Sequence, residues 1–281
     1  MRAVKDTVVS ALCRLLSLTF SLFMRRASLP SEPKAILIIK PCCIGDLLMA
    51  TPVIAQVRRA YPKAKLTVAV GPWAAEAIAS NPKIDELIDL GSVGQGAQTK
   101  VGDYLKSIAT LRERKYDICI VLDRSPLVTL LPYLAGIPNR LGIDSGGRGF
   151  SLTAKVPALP LRHEAQLYLD TLLPLGISPE HPRLEFFPQE DESLWAEEQV
   201  GEFPEPRIAI HPGGGVNPGS TLLGKRWPPE RFGELAALLT KNGGSVVLIG
   251  GGSDSEAAEV VLSALAKASP ALRQSPSTPP F

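Results

Sequence analysis

The sequence predicts an α/β protein made of two Rossmann-like domains with parallel sheets, the second of them incomplete. Two observations predict it. Apolar runs of strand length alternate with stretches of helical period from residue 35 to residue 175, and the alternation starts again at residue 207. The runs are also nearly continuous in apolar residues, without the polar-apolar alternation of a half-exposed sheet. A strand reads that way when helices cover both faces of its sheet, the usual setting of parallel strands.

In the first series, strands are expected at 35–39, 66–70, 86–90, 118–122 and 140–143. Helices are expected near 47–60, 73–80, 100–114, 127–136 and 163–175. Residues 178–206 are rich in proline and acidic residues and hold one short helical pattern near 190–200. The second series has a strand at 207–211, a glycine-rich loop, a helix near 229–242, a strand at 245–249 and a helix near 254–267. Two strands are fewer than the roughly five or six of an average sheet. Residues 269–281, with four prolines and three serines, read as a disordered tail. The expected organisation is therefore an N-terminal amphipathic helix and linker (1–33), a Rossmann-like domain (34–178), an interdomain linker (179–206) and a partial Rossmann-like domain (207–281).

Bulk composition narrows the function classes. A chain of 281 residues with 45% hydrophobic and 21% charged residues can bury a sizeable core in one large domain or two ordinary ones. A net charge of +2, without an Arg/Lys tract, argues against nucleic acid as a partner. Cys13, Cys42, Cys43 and Cys119 form no Cys-x-x-Cys pair, and the chain has only three histidines. Neither a zinc site nor a disulfide framework is expected, and free thiols suit a reducing cytoplasm.

Residues 8–24 are apolar enough to raise a signal peptide or a membrane span. Arg14 lies at the centre of the run, and the sequence around Met24, Arg25 and Arg26 makes a poor cleavage site. Ser10, Arg14, Ser17, Ser21 and Arg25 step by three or four and so line one narrow polar stripe of a helix. Two readings stay open. One is an interfacial helix with Lys5, Arg25 and Arg26 near anionic headgroups at the inner face of the cytoplasmic membrane; the other is a helix docked on the protein's own body.

Three loops carry candidate chemistry. Lys40-Pro41-Cys42-Cys43-Ile44-Gly45-Asp46 leaves the end of the first strand and enters a helix, where open α/β sheets bind ligands. Gly45 permits close backbone approach or a positive φ, and Asp46 is either a general base facing a cleft or a helix cap. In the second loop, Gly213, Gly214 and Gly215 expose backbone N–H groups that can cradle a diphosphate, and Lys225 and Arg226 follow before a helix. The bland alternative there is a solvated basic turn over Trp227. The third loop runs from Gly250 to Glu256. It misses the last glycine of a dinucleotide fingerprint and lacks the acidic residue that should follow about twenty positions on. Ser253 and Glu256 have capping-box spacing, and Glu256 alternatively accepts ribose hydroxyl protons. His163 opens a helix and either lines an acceptor cleft or simply starts that helix.

Taken together, these stretches resemble glycosyltransferase family 9, the ADP-heptose:lipopolysaccharide heptosyltransferases. The resemblance rests on residues 36–52, 58–62, 139–142 and 163–177 in the first half, and on 211–228 and 246–256 in the second. It implies a GT-B fold and an inverting transfer that uses neither metal nor cofactor. It further implies a nucleotide-sugar donor such as ADP-heptose, held mainly by the second domain, and a lipopolysaccharide-core or other glycan acceptor. By this resemblance Asp46 is the general base, Lys225 neutralises the donor diphosphate and Glu256 contacts the nucleoside. Nothing in the chain resembles the family's Gly-Pro-Met-His-Leu-Ala-type segment. The chain is therefore expected to be truncated before the donor site is complete, and to be inactive or nearly so as it stands. A non-catalytic relic that binds nucleotide or membrane, and a dinucleotide oxidoreductase using Gly250 and Gly252, are the competing readings.

Overall fold

The computed structural model describes residues 2–23, 28–214, 224 and 226–268. The chain divides into two compact units, Met1–Pro188 and Gln189–Phe281.

In the first unit, α1 (Arg2–Phe23) precedes a series that opens with β1 (Ala35–Ile39), α2 (Ile44–Leu48), α3 (Thr51–Ala60) and β2 (Lys65–Val70). A 3₁₀ helix, Pro72–Ile78, leads to β3 (Glu86–Asp89), α4 (Val101–Glu113), β4 (Ile118–Val121) and α5 (Pro126–Leu134). The unit continues through β5 (Asn139–Asp144), β6 (Ala154–Pro157) and α6 (Glu164–Asp170). The six strands pair in the order β3-β2-β1-β4-β5-β6, every pair parallel. Successive residues of a strand point to opposite faces. Thus Ile36, Ile38, Val68, Ile118 and Ile120 pack with Val53, Ile54 and Val57 of α3 and with Leu167 and Leu169 of α6. Leu37, Ile39, Ala69, Cys119 and Val121 face the other way, onto Leu111 of α4 and Val128 and Leu131 of α5. Each Val, Leu or Ile side chain among them contributes about 1.5–3 kcal/mol on leaving water, before entropy is counted.

The α/β class and the parallel sheet agree with the sequence, with two local differences. The helix expected over 47–60 is two helices, because Pro52 has no N–H to give the carbonyl of Leu48. The Thr51 hydroxyl donates to that carbonyl instead, at 2.7 Å. The sixth strand, β6, went unread because Val156 is its one buried residue and no apolar run marks it. Residues 179–188 pack on this unit rather than hanging between two. Lys83 pairs with Glu185 at 2.7 Å, and the Glu185 amide donates to Thr51 Oγ1 at 2.9 Å.

The second unit contains α7 (Glu190–Val200), β7 (Arg207–Ile210), α8 (Pro229–Lys241), β8 (Ser245–Leu248) and α9 (Ser255–Ala268). β7 and β8 are parallel neighbours, with Ile210 opposite Leu248. α8 starts with Pro229 in its first turn, where a missing N–H costs nothing. α8 and α9 close on each other at Gly233, where a methyl group would collide with Ala264 and the Val261 carbonyl. Ala236, Ala237 and Val261 are buried in the unit. The tail expected at 269–281 lies outside the described residues.

Candidate active site

Lys40 is the residue at which an otherwise apolar strand turns charged. Its amide still bonds to Ala69 O, at 3.1 Å, so its side chain is held at the carboxyl end of β1. The ammonium is buried, 3.2 Å from Asp46 Oδ2, 3.9 Å from Asp123 Oδ2 and 5.8 Å from the centre of the Tyr168 ring. β1 and β4 are adjacent, and the chain runs outward in opposite directions from them. This is the switch point at which open α/β sheets bind ligands. Register does the rest. Ile39 lies opposite Val121, which brings Lys40 level with Leu122 and leaves Asp123 one residue further along.

Asp46 is the third residue of α2, while Cys43 holds the N-cap position and makes no side-chain cap bond. The Asp46 carboxylate turns to Lys40, and 41% of the side chain remains exposed. It is thus oriented by a cation on one side and open to solvent on the other. The positive φ of this loop belongs to Cys43, at 77°, and not to Gly45. At Gly45 an added Cβ would meet nothing within 4 Å, so its bare backbone borders open space. Burial first, and then the bond to Cys43, pushes the Cys42 thiol up to about 12, so it stays protonated and is no nucleophile at neutral pH.

Asp123, Arg124, Glu164 and Tyr168 complete the cluster; the sequence places Glu164 and Tyr168 on a helix that either lines a cleft or is an ordinary one, and gives no sign of a role for Lys40, Asp123 or Arg124. Arg124 Nη2 donates to Glu164 Oε2 at 2.7 Å, tying the loop after β4 to the start of α6. Burial, followed by the charge of Asp46, keeps the Tyr168 phenol firmly protonated. His163 is the N-cap of α6 and is exposed beside Arg162, Gln166 and His181. The cluster meets α6 through Glu164 and Tyr168, not through His163.

Burial raises Asp123 above the usual carboxylate range, against the pull of Lys40, the Ser125 amide and Arg124. A carboxyl raised by folding favours the folded state while it is protonated and loses that advantage as pH climbs through its folded value. Stability of the first unit is therefore expected to fall as pH rises from the ordinary carboxylate range to the raised one. Asp123→Asn should flatten that slope in denaturant melts taken across the window. An unchanged slope would mean that Asp123 is not its source.

In the second unit, two glycine loops leave the carboxyl ends of β7 and β8 and are joined by one buried carboxylate. Asp254 Oδ2 lies 3.2 Å from His211 Nε2 and accepts the Gly251 amide at 3.0 Å. The helix start therefore differs from the Ser253–Glu256 box. A 3₁₀ turn, Gly252–Asp254, precedes α9; Asp254 receives the capping amide, and Glu256 is exposed in the first turn of α9. Gly214 takes φ 72°, and the stem of Arg226 runs alongside it. Trp227 packs edge-on against Phe232, with centroids 4.9 Å apart. Gly215 and Lys225 lie outside the described residues.

Gly213 passes so close to Asp254 that a methyl group there would overlap its carboxylate. Gly213→Ala should cost about 1–3 kcal/mol through forced repacking. Gly252→Ala is the matched control, because a Cβ there meets nothing within 4 Å. Equal melting temperatures for the two variants would contradict the tight packing of Gly213 on Asp254.

Residues 104–271 match the family model of glycosyltransferase family 9 (heptosyltransferase). Lipopolysaccharide heptosyltransferase 2 of Escherichia coli K12 is 32% identical over 243 residues, covering 82% of this chain and 67% of that protein. Lipooligosaccharide heptosyltransferase 2 of Haemophilus influenzae is 29% identical over the same shares. Among solved structures, a family 9 glycosyl transferase from Veillonella parvula superposes with a TM-score of 0.68 at 25% identity, covering 82% of this chain and 67% of that one. The E. coli ADP-heptose lipopolysaccharide heptosyltransferase II gives 0.63 at 26% identity, covering 82% and 68%. The chain thus spans about two thirds of the length of these relatives.

Proposed function

Because the chain belongs to glycosyltransferase family 9, the heptosyltransferases, we propose that it moves a heptose from ADP-heptose onto a lipopolysaccharide-core or related glycan acceptor. The observation that carries the mechanism is the Asp46 carboxylate, held by buried Lys40 at the switch point of the sheet yet open to solvent. In the proposed step an acceptor hydroxyl attacks the anomeric carbon from the face opposite the nucleotide. A new C–O bond forms while the bond to the diphosphate breaks, so the anomeric configuration inverts. The hydroxyl proton goes to Asp46, and ADP leaves with the electron pair. A positioned base of this kind typically contributes about 10²–10⁴-fold.

The leaving diphosphate is assigned to the backbone amides of Gly213, Gly214 and Gly215, with Lys225 and Arg226 as its counter-charges; Glu256 is assigned to the nucleoside. Lys40 already supplies the cation between Asp46 and Asp123, which supports a reaction needing no metal there. On this reading the enzyme works on the cytoplasmic side, at the membrane surface where a glycolipid acceptor resides. The test is transfer from ADP-heptose with and without a chelator, with the product's anomeric configuration read by NMR. Inversion at an unchanged rate supports the reading; retention, or a rate abolished by chelator and restored by a divalent cation, overturns it.

Lys225→Ala is expected to weaken ADP binding about tenfold, in line with a charge-assisted hydrogen bond of about 1.5 kcal/mol. Adenosine binding should hardly change, because only the diphosphate presents the charge. Equal losses for ADP and adenosine in calorimetry would remove Lys225 from the diphosphate.

A further inference from the structure

We propose that α1 lies on an anionic lipid surface through an apolar ridge formed by Val8, Leu12, Leu15 and Leu18. The helix is docked on the first unit by its polar stripe, and the side chains of the opposite face stand largely exposed. The Ser10 side chain lies against Gly146, and the backbone and stem of Arg14 against Gly147; both glycines have positive φ, at 64° and 89°. Lys155 Nζ donates to Ser17 Oγ at 3.0 Å. Cys13 is buried, and Phe20 packs edge-on against Tyr133 and Phe150 at 5.1 and 5.0 Å. The sequence thus allowed either an interfacial helix or a docked one; the structure docks it, with an apolar ridge facing outward.

Val8, Leu12, Leu15 and Leu18 are 62%, 57%, 61% and 66% exposed. Their spacing of four, three and three places them on one stripe of the helix, opposite Ser10, Cys13, Ser17 and Phe20. Charge chooses the occupant. Arg14 and Lys155, both exposed, border the docked face, and residues 1–28 of the sequence also hold Arg2, Lys5, Arg25 and Arg26 against Asp6 alone. A second copy of this helix would bring like charges together, whereas anionic headgroups neutralise them. Among the described residues no helix is long and apolar enough to cross a membrane, so α1 rests in the surface plane. Its contacts with Gly146 and Gly147 are made at the loop after β5, the same end of the parallel sheet as Lys40 and Asp46. A lipid-borne acceptor is thereby kept at the catalytic end. The proposal goes beyond the transfer reaction and is tested without it.

The experiment is flotation of the full chain with vesicles of phosphatidylcholine alone or with added phosphatidylglycerol. The intact protein should float with the anionic vesicles, and less so as salt rises. Leu12→Glu with Leu15→Glu should lower that partition at least tenfold while melting like the wild type, since both side chains already stand in water. Leu12→Trp gives a positive readout, a blue-shifted emission when anionic vesicles are added. Failure of the wild type to float, or equal flotation of the double variant, overturns the proposal. So does a light-scattering dimer that the double variant dissolves, which would make the ridge a contact between two copies.

Discussion

Asp46→Asn is expected to lower turnover by about 10²-fold or more, the usual contribution of a positioned base, while donor affinity stays nearly constant. The amide keeps the shape of the carboxylate, so Lys40 loses its ion pair with Asp46 but no cavity opens. What disappears is the ability to take a proton from the attacking hydroxyl. The glycine loops assigned above to the donor follow β7 and β8 of the second unit, and the substitution leaves their residues unchanged. The comparison belongs in a background that transfers, either the 281-residue chain or that chain joined to the remaining third of a relative. Turnover within a few-fold of the parent would reduce Asp46 to a residue that only orders α2.

Lys40→Met should do damage of a different kind. It removes the ammonium lying between Asp46 and Asp123 and fills its space with a stem of similar length. Breaking a buried pair costs about 3–5 kcal/mol when one charge is left uncompensated, and the lower end applies because Asp46 keeps contact with water. Asp123 is the group that suffers. Burial already raises it and Lys40 is the largest force lowering it, so without the lysine it is driven higher still. The variant should therefore lose more stability as pH rises through the carboxylate range than the wild type does. Lys40→Met with Asp123→Asn should recover much of the loss, because no buried charge remains. A single variant that melts like the wild type at every pH would show that the lysine holds nothing together.

Where periodicity carries the signal, the sequence was legible. β1, β2 and β4, whose apolar runs are nearly continuous, are where the sequence places them, since a strand covered on both faces is apolar along most of its length. The place of Asp46, in the first helix after the first such run, was legible for the same reason. Lys40 and Asp123 were not read as partners, because they lie 83 positions apart and meet only through the β1–β4 pairing. A charged residue closing each of two apolar strands was the available clue. β6 offers one buried residue and so no period. Asp254 escaped notice because Glu256 has the better box spacing; the 3₁₀ turn before α9 moves the capping position back by two. The stripe on α1 was legible, but which way it faced depended on Gly146 and Gly147, more than a hundred residues away.

Acceptor-dependent transfer from ADP-heptose, followed by mass spectrometry of a lipopolysaccharide-core acceptor, tests the account most directly. It should be run on the 281-residue chain and on its extended form, each first checked for ADP binding. The account expects a heptose added to the acceptor in at least one form, with ADP released in equal amount and both lost in Asp46→Asn. Folded, ADP-binding protein that adds no heptose in either form, or adds it as fast without the Asp46 carboxylate, would contradict it.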